Sequence, residues 1–275
     1  IKHLRIDILA GCESQCDWTM VDKDNQLPAL LAPGTATKVV TAHNKTERMQ
    51  RHQAGGTAIA GIGRICDHIT DTGSDHTGLG RWSWIRLGRG NTSTRIISAY
   101  LPHKPGRHSR GRTVWEQHSR YFEARGDPRY PSTIFIEHLL NLLSQWIAQG
   151  DHILLAIDAN QDIYKGRLAL RLKEPPFNMT CMLEDVTGQQ VPNSHFSGDK
   201  QISTIFGSSG VITGQGICFP HWFGIGDHRV MVLEISAKAA FNGTYPTIAR
   251  PKAQTLNQSG HNHTELHIFD VPLPL

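Results

Sequence analysis

Apolar runs of strand length recur along the chain, at residues 6–12, 57–62, 82–87, 95–100, 153–157, 202–206, 211–218 and 230–235. Their lengths, and the glycine, proline and small polar residues between them, predict strands. A different period sits between the runs. Residues 133–148 place Ile134, Leu139, Leu142, Leu143, Trp146 and Ile147 mostly on one side of a 3.6-residue repeat that stops at Gly150, an amphipathic helix. Residues 114–125 predict a second, more charged helix. Residues 166–172 and 178–183 predict short helices around the Pro175-Pro176 break. Many strands with few interspersed helices predict an α/β protein in which two sheets pack face to face under outer helices. After Ser236 the periodicity fades among prolines, Asn, Thr, Gln and His. The expected organisation is one domain over 1–236 and a linker or poorly ordered tail over 237–275.

Polar residues sit where several strands end. Residues 153–157 are continuously apolar, as in a strand buried on both faces, and run into Asp158-Ala159-Asn160. Alternation along an extended chain would put Asp158 and Asn160 on one face. In the same way residues 6–12 deliver Glu13, residues 95–99 deliver Tyr100, and Gly226-Asp227-His228 leads directly into the last run. Each has a bland reading as a capped turn or a solvated strand end. Together, carboxylates with an amide suit a hard, oxygen-seeking cation such as Mg²⁺, and a neutral donor with a His suits phosphoryl chemistry.

Composition narrows this picture. The 275 residues are 39% hydrophobic, enough for a substantial core, and the net charge of +4 is mildly basic. The basic excess gathers in a stretch without acids, where Lys104, Arg107, Arg110 and Arg112 accompany His103 and His108 and could meet a phosphate backbone. Five cysteines without a CxxC pair indicate neither a zinc site nor a disulfide framework, and a reducing, intracellular compartment, nuclear or cytoplasmic, is expected. No apolar stretch reaches the length of a membrane span. The chain opens on Ile1 and enters a strand-like run almost at once, which reads as a segment of something longer.

The order and spacing of these pieces resembles the endonuclease/exonuclease/phosphatase superfamily, from about residue 6 to 235. Gly11-Cys12-Glu13 matches its metal-binding Glu motif and Gly55-Gly56-Thr57-Ala58-Ile59 its glycine-led strand. Ser98-Ala99-Tyr100-Leu101-Pro102 matches the Tyr motif, Ile157-Asp158-Ala159-Asn160 the Gly-Asp-Phe-Asn motif, and Gly226-Asp227-His228 the Ser-Asp-His motif. Gly80-Arg81-Trp82 and residues 121–127 look most like endonuclease domains of retroelement-type polyproteins, which implies a covalently linked reverse transcriptase in the parent chain. The resemblance implies a four-layer α/β/β/α sandwich of two packed mixed sheets with outer helices, deoxyribonuclease I-like. It also implies Mg²⁺, or Mn²⁺ in its place, and DNA as partner.

Carried over residue by residue, the resemblance makes Glu13 a metal ligand with Asp227 near the metal, and has Asp158 position or deprotonate the attacking water. Asn160 would hold the phosphate or that water, and Tyr100 and His228 would donate to non-bridging oxygens. Two departures stand out: the family's first strand, with its Asn, would lie upstream of Ile6, and Ser203 occupies the place of an Asp that bonds the catalytic His. A neutral hydroxyl there predicts a poorly oriented His228, and Ser203→Asp is expected to raise activity. The readings that compete with a DNA-nicking endonuclease are a phosphatase of small phosphoesters such as inositol phosphates, and a DNA-binding module impaired in catalysis.

Overall fold

All seven residues of Thr94–Tyr100 are buried, and they form the middle of a six-stranded sheet. The computed structural model describes residues 6–31, 33–47, 52–88, 93–106, 112–211, 213–224 and 226–241. In chain order the strands are β1 (Ile8–Cys12), β2 (Thr37–Ala42), β3 (Thr57–Ile62), β4 (Ile69–Ser74), β5 (Trp82–Leu87), β6 (Thr94–Tyr100), β7 (His152–Asp158), β8 (Thr180–Cys181), β9 (Ser203–Gly207), β10 (Thr213–Cys218) and β11 (Met231–Ile235). The α-helices are α1 (Leu27–Leu31), α2 (Val114–Glu123), α3 (Pro131–Ala148), α4 (Arg167–Lys173), α5 (Met182–Thr187) and α6 (Ala237–Ala240).

The six-stranded sheet runs β4-β5-β6-β7-β9-β8, with β6 and β7 parallel and the other pairs antiparallel. A smaller sheet, β1-β3-β2, is antiparallel among the described residues, and β10 and β11 form a separate hairpin. Strand alternation sorts the core into two layers. Ile85, Leu87, Ile96 and Leu154 face Ile59 of the smaller sheet, so the two sheets pack against each other. The alternate residues Ile97, Leu155 and Ile157 face Phe135, Leu139 and Leu143 of α3 and Leu168 and Leu172 of α4. Helix α3 begins with Pro131 in its first turn and ends before Gly150, whose φ of 87° suits glycine alone.

Two strands carry too little hydrophobic signal to be anticipated. Strands β2 (Thr-Lys-Val-Val-Thr-Ala) and β4 (Ile-Thr-Asp-Thr-Gly-Ser) lie at sheet edges, half exposed, where backbone pairing to one neighbour suffices. The helix predicted over 178–183 is displaced: Thr180–Cys181 extends as β8, and α5 then runs to a left-handed stop at Gly188. Packing also continues past residue 236. Ala240 and Phe241 are buried in the inter-sheet core, and the Thr94 hydroxyl donates to the Ala240 carbonyl at 2.7 Å. Residues 242–275 lie outside the described residues. Among the described residues no helix is long and apolar enough to cross a membrane.

Candidate functional site

The register of the large sheet builds one wall of a cleft. Tyr100 on β6 pairs with Asp158 on β7, and Asp158 pairs with Ser203 on β9, so three polar residues form a lateral row on the face that meets the smaller sheet. Glu13 arrives from the opposite sheet at the end of β1. Its φ of 53° is left-handed, which costs a non-glycine residue about 1 kcal/mol or more. Gly56 permits that turn, because a Cβ there would lie 2.6 Å from the Ser14 hydroxyl and 3.0 Å from the Ala42 carbonyl. The Cys12 thiol, 3.0 Å from the Ala99 carbonyl, ties the end of β1 to β6, and burial pushes its pKa up to about 12, so it stays protonated.

Glu13, Tyr100, Asp158, Asn160, Asp227 and His228 all line one cleft of about 340 Å³, together with His195 and the first residues of α2. Three carboxylates therefore face one another with no Lys or Arg among the described residues that line the cleft. The effect shows on Asp158: burial, followed by the charge of Glu13, raises its pKa to about 7. Burial and Glu13 likewise raise the pKa of Tyr100, keeping its hydroxyl neutral. Asn160 reaches the cleft through a turn and not through the expected strand alternation. β7 ends at Asp158, and Asn160 turns left-handed with φ 46°, its backbone N–H donating to Asp158 Oδ1 at 3.3 Å and its amide to the Leu101 carbonyl at 2.9 Å.

His228 is better held than the sequence suggested. The Ser203 hydroxyl donates to Asp158 Oδ1 at 3.3 Å and so accepts from His228 Nδ1 at 2.9 Å. The neutral ring then carries its proton on Nδ1 and presents Nε2, which lies 3.9 Å from Asp158 Oδ2 and 4.0 Å from Asp227 Oδ1. Burial lowers the pKa of this imidazole. The carboxylate that sequence reasoning found missing is thus one hydroxyl away.

Sequence reasoning overlooked His195. Residues 194–196 zip onto 227–229 through Phe196 N–H to the Asp227 carbonyl and Arg229 N–H to the Ser194 carbonyl, both 2.8 Å, which sets the His195 ring 5.0 Å from that of His228. Ligand atoms of His195, Asp227 and His228 lie within 4.8 Å of one another. Ser197 N–H donates to His195 Nδ1 at 3.1 Å, however, so the neutral ring has its proton on Nε2 and donates to Asp227 Oδ2 at 3.2 Å. His195 thereby holds the exposed Asp227 carboxylate in place. Among 16 histidines no spacing marks it in the sequence.

The basic segment reaches the cleft only in part. His103 and Pro105 line it, while Lys104 is exposed with its ammonium 4.9 Å over the Tyr130 ring, and Arg112 is exposed beside the cleft residue Thr113. Arg107 and Arg110 lie outside the described residues. The oxygen donors of Glu13, Asp158, Asp227 and Asn160, with no Lys or Arg among the described residues lining the cleft, fit a hard divalent ion such as Mg²⁺.

No family model matches the chain, and no curated protein matches it in sequence. Solved structures do share its fold. The 3′ phosphatase NExo from Neisseria, bound to a product DNA hairpin, superposes with a TM-score of 0.55 at 14% identity, covering 84% of this chain and 89% of that one. The human Nocturnin catalytic domain with a bound sulfate anion gives 0.56 at 12% identity, covering 86% and 82%. An endonuclease/exonuclease/phosphatase family protein from Leptotrichia buccalis gives 0.53 at 11% identity, covering 85% and 88%. The fold is that of these structures, a mixed α/β sandwich of packed sheets.

Proposed function

We propose that this protein hydrolyses phosphodiester bonds with a divalent cation, and that its substrate is DNA, which it nicks. The observation that carries this reading is a cleft holding three carboxylates, an amide, a neutral tyrosine and an oriented histidine, with no Lys or Arg among the described residues that line it. A phosphate anion can enter such a cleft only when a cation offsets their charge. Glu13 and Asp227, with Asp158 and Asn160 beside them, would hold Mg²⁺, which when bound supplies charge neutralisation and Lewis-acid polarisation of the phosphate.

The chain's own residues do the rest. Asp158, ionised once a cation offsets Glu13, accepts the proton of an in-line water, and Asn160 fixes the geometry of that attack. Tyr100 is a neutral donor across the working pH range and bonds a non-bridging oxygen as its charge builds. A phosphate anion against His228 Nε2 favours the protonated ring, which then donates from both nitrogens. The P–O3′ bond breaks, solvent water protonates the departing 3′-oxyanion to the 3′-hydroxyl, and the other product carries a 5′-phosphate.

DNA is preferred over a small phosphoester because His103 lines the cleft and Arg112 adjoins its lining residue Thr113, and because NExo, of the same fold, holds a DNA hairpin. The retroelement-type assignment, with a linked reverse transcriptase, is supported by sequence wording alone. In the structure, Arg81 and Trp82 of that wording are buried, Arg81 paired with Asp75 at 2.7 Å, so they serve packing. Sequencing the transcript on both sides of this segment tests the linkage. The activity itself is tested on supercoiled plasmid: nicking with Mg²⁺ and none with chelator is expected, and phosphate release from inositol phosphates without nicking would favour the phosphatase. Glu13→Gln is expected to weaken Mn²⁺ binding about tenfold, read by paramagnetic resonance of the free ion. Unchanged binding would remove Glu13 from the metal site.

A further inference from the structure

The loop joining β10 to β11 carries both Asp227-His228 and a short turn of 3₁₀-helix, His221–Phe223. On that turn Trp222 is 82% exposed and Phe223 42% exposed, and across from it Phe196, the residue after His195, is 72% exposed. These rings fall into two contact groups carried by the same turn. Phe196 meets His221 edge-on at 5.6 Å, Trp222 meets Phe223 at 6.4 Å, and Phe223 stacks on Phe219 at 4.0 Å. The patch is also fixed to the cleft. Phe196 N–H bonds the Asp227 carbonyl at 2.8 Å, and a Cβ on Gly224 would lie 3.0 Å from the His228 carbonyl, so the turn is pressed against the backbone of the catalytic pair.

Large aromatic rings facing water are costly to maintain without a partner. Resting on the phosphodiester reading, we infer that this patch is a base-stacking platform for unpaired nucleotides next to the scissile phosphate, with Trp222 as its principal ring. A strand whose phosphate lies at His228 must carry its neighbouring bases past the loop that holds Asp227 and His228, and that loop also presents the aromatic turn. A base inside a duplex already has both faces covered. Only a single strand, a frayed end or an extruded nucleotide offers a free face to Trp222. The platform therefore selects substrates with unpaired bases, and selects little by sequence, because every base has a π-face.

The test uses the full chain, Mg²⁺ and fluorescein-labelled phosphorothioate DNA, a single strand of about 12 nucleotides against a blunt duplex of the same length. Trp222→Ala is expected to weaken single-strand binding about tenfold, Trp222→Phe to restore most of it, and duplex binding to change less than about twofold. Mn²⁺ binding, read by paramagnetic resonance of the free ion, should be unchanged in both variants. Equal single-strand affinity in wild type and Trp222→Ala overturns the inference. So do equal losses on both DNAs, which would mark a backbone contact. If single-strand binding depends on Trp222 while wild type hydrolyses neither plasmid nor bis(p-nitrophenyl) phosphate, the hydrolytic reading fails and the platform stands.

Discussion

Asp158→Asn is expected to cut plasmid nicking about 10³-fold and, in the cation-free protein near pH 8, to raise the melting temperature. Both effects come from the same burial. Asp158 titrates at about 7 in the fold against 3.8 for an unburied aspartate, because it is buried on the inter-sheet face with Glu13 nearby. Between those two values the folded chain keeps a proton that the unfolded chain has released. Stability therefore falls as pH rises through this window and is lowest above the folded pKa. The shift corresponds to a few kcal/mol in order of magnitude. Asparagine has no proton to lose, so in chelator the variant should hold its melting temperature from about pH 5 to 8 while wild type declines. Adding Mg²⁺ near pH 8 should raise the melting temperature of wild type more than that of the variant, because a cation favours the ionised carboxylate. Parallel melting curves for the two proteins would show that Asp158 is not the buried, proton-holding group of the cleft. Equal nicking would remove it from catalysis.

Ser203 gives the second large effect, in a direction opposite to the one its sequence position suggests. Its hydroxyl bonds both His228 Nδ1 and Asp158 Oδ1, and the bond to Asp158 favours the ionised form. Ser203→Ala is expected to lower turnover about 10²-fold by releasing the imidazole. It should also move the acid limb of the pH–rate profile upward, since Asp158 loses a donor to its charged state. Ser203→Asp is expected to fall below wild type instead of exceeding it. A carboxylate placed where a hydroxyl now lies 3.3 Å from Asp158 adds a fourth negative group to Glu13, Asp158 and Asp227, and the relay is lost. A pH–rate profile of Ser203→Ala that keeps the wild-type acid limb would refute the relay. A gain in nicking by Ser203→Asp would show that His228 needs a direct carboxylate.

Much of the site could be read from the chain because strands must leave the core somewhere. The apolar run over 153–157 has to end where the sheet opens onto the cleft, and Asp158 is the first polar residue there; Glu13 and Tyr100 likewise stand at strand ends. Residues whose contribution depends on a partner far along the chain were not legible. His195 matters because its loop pairs with residues 227–229, and nothing local to Ser194-His195-Phe196 signals that pairing. The exposed rings of Trp222 and Phe196 were invisible for a related reason, since an aromatic residue reads as core until its exposure is known.

By itself the sequence determined the strand-rich α/β character, the main buried strands, and which polar groups stand at their ends, because hydrophobic periodicity and the residues that interrupt it are local properties. Tertiary structure decided which of those groups become neighbours. The register of β6, β7 and β9 sets Tyr100, Asp158 and Ser203 in one row, and the left-handed turn at Glu13 carries its carboxylate across from the other sheet. Strands pair through backbone hydrogen bonds that are alike for every residue, so register and sheet packing follow from the whole fold and not from any one segment.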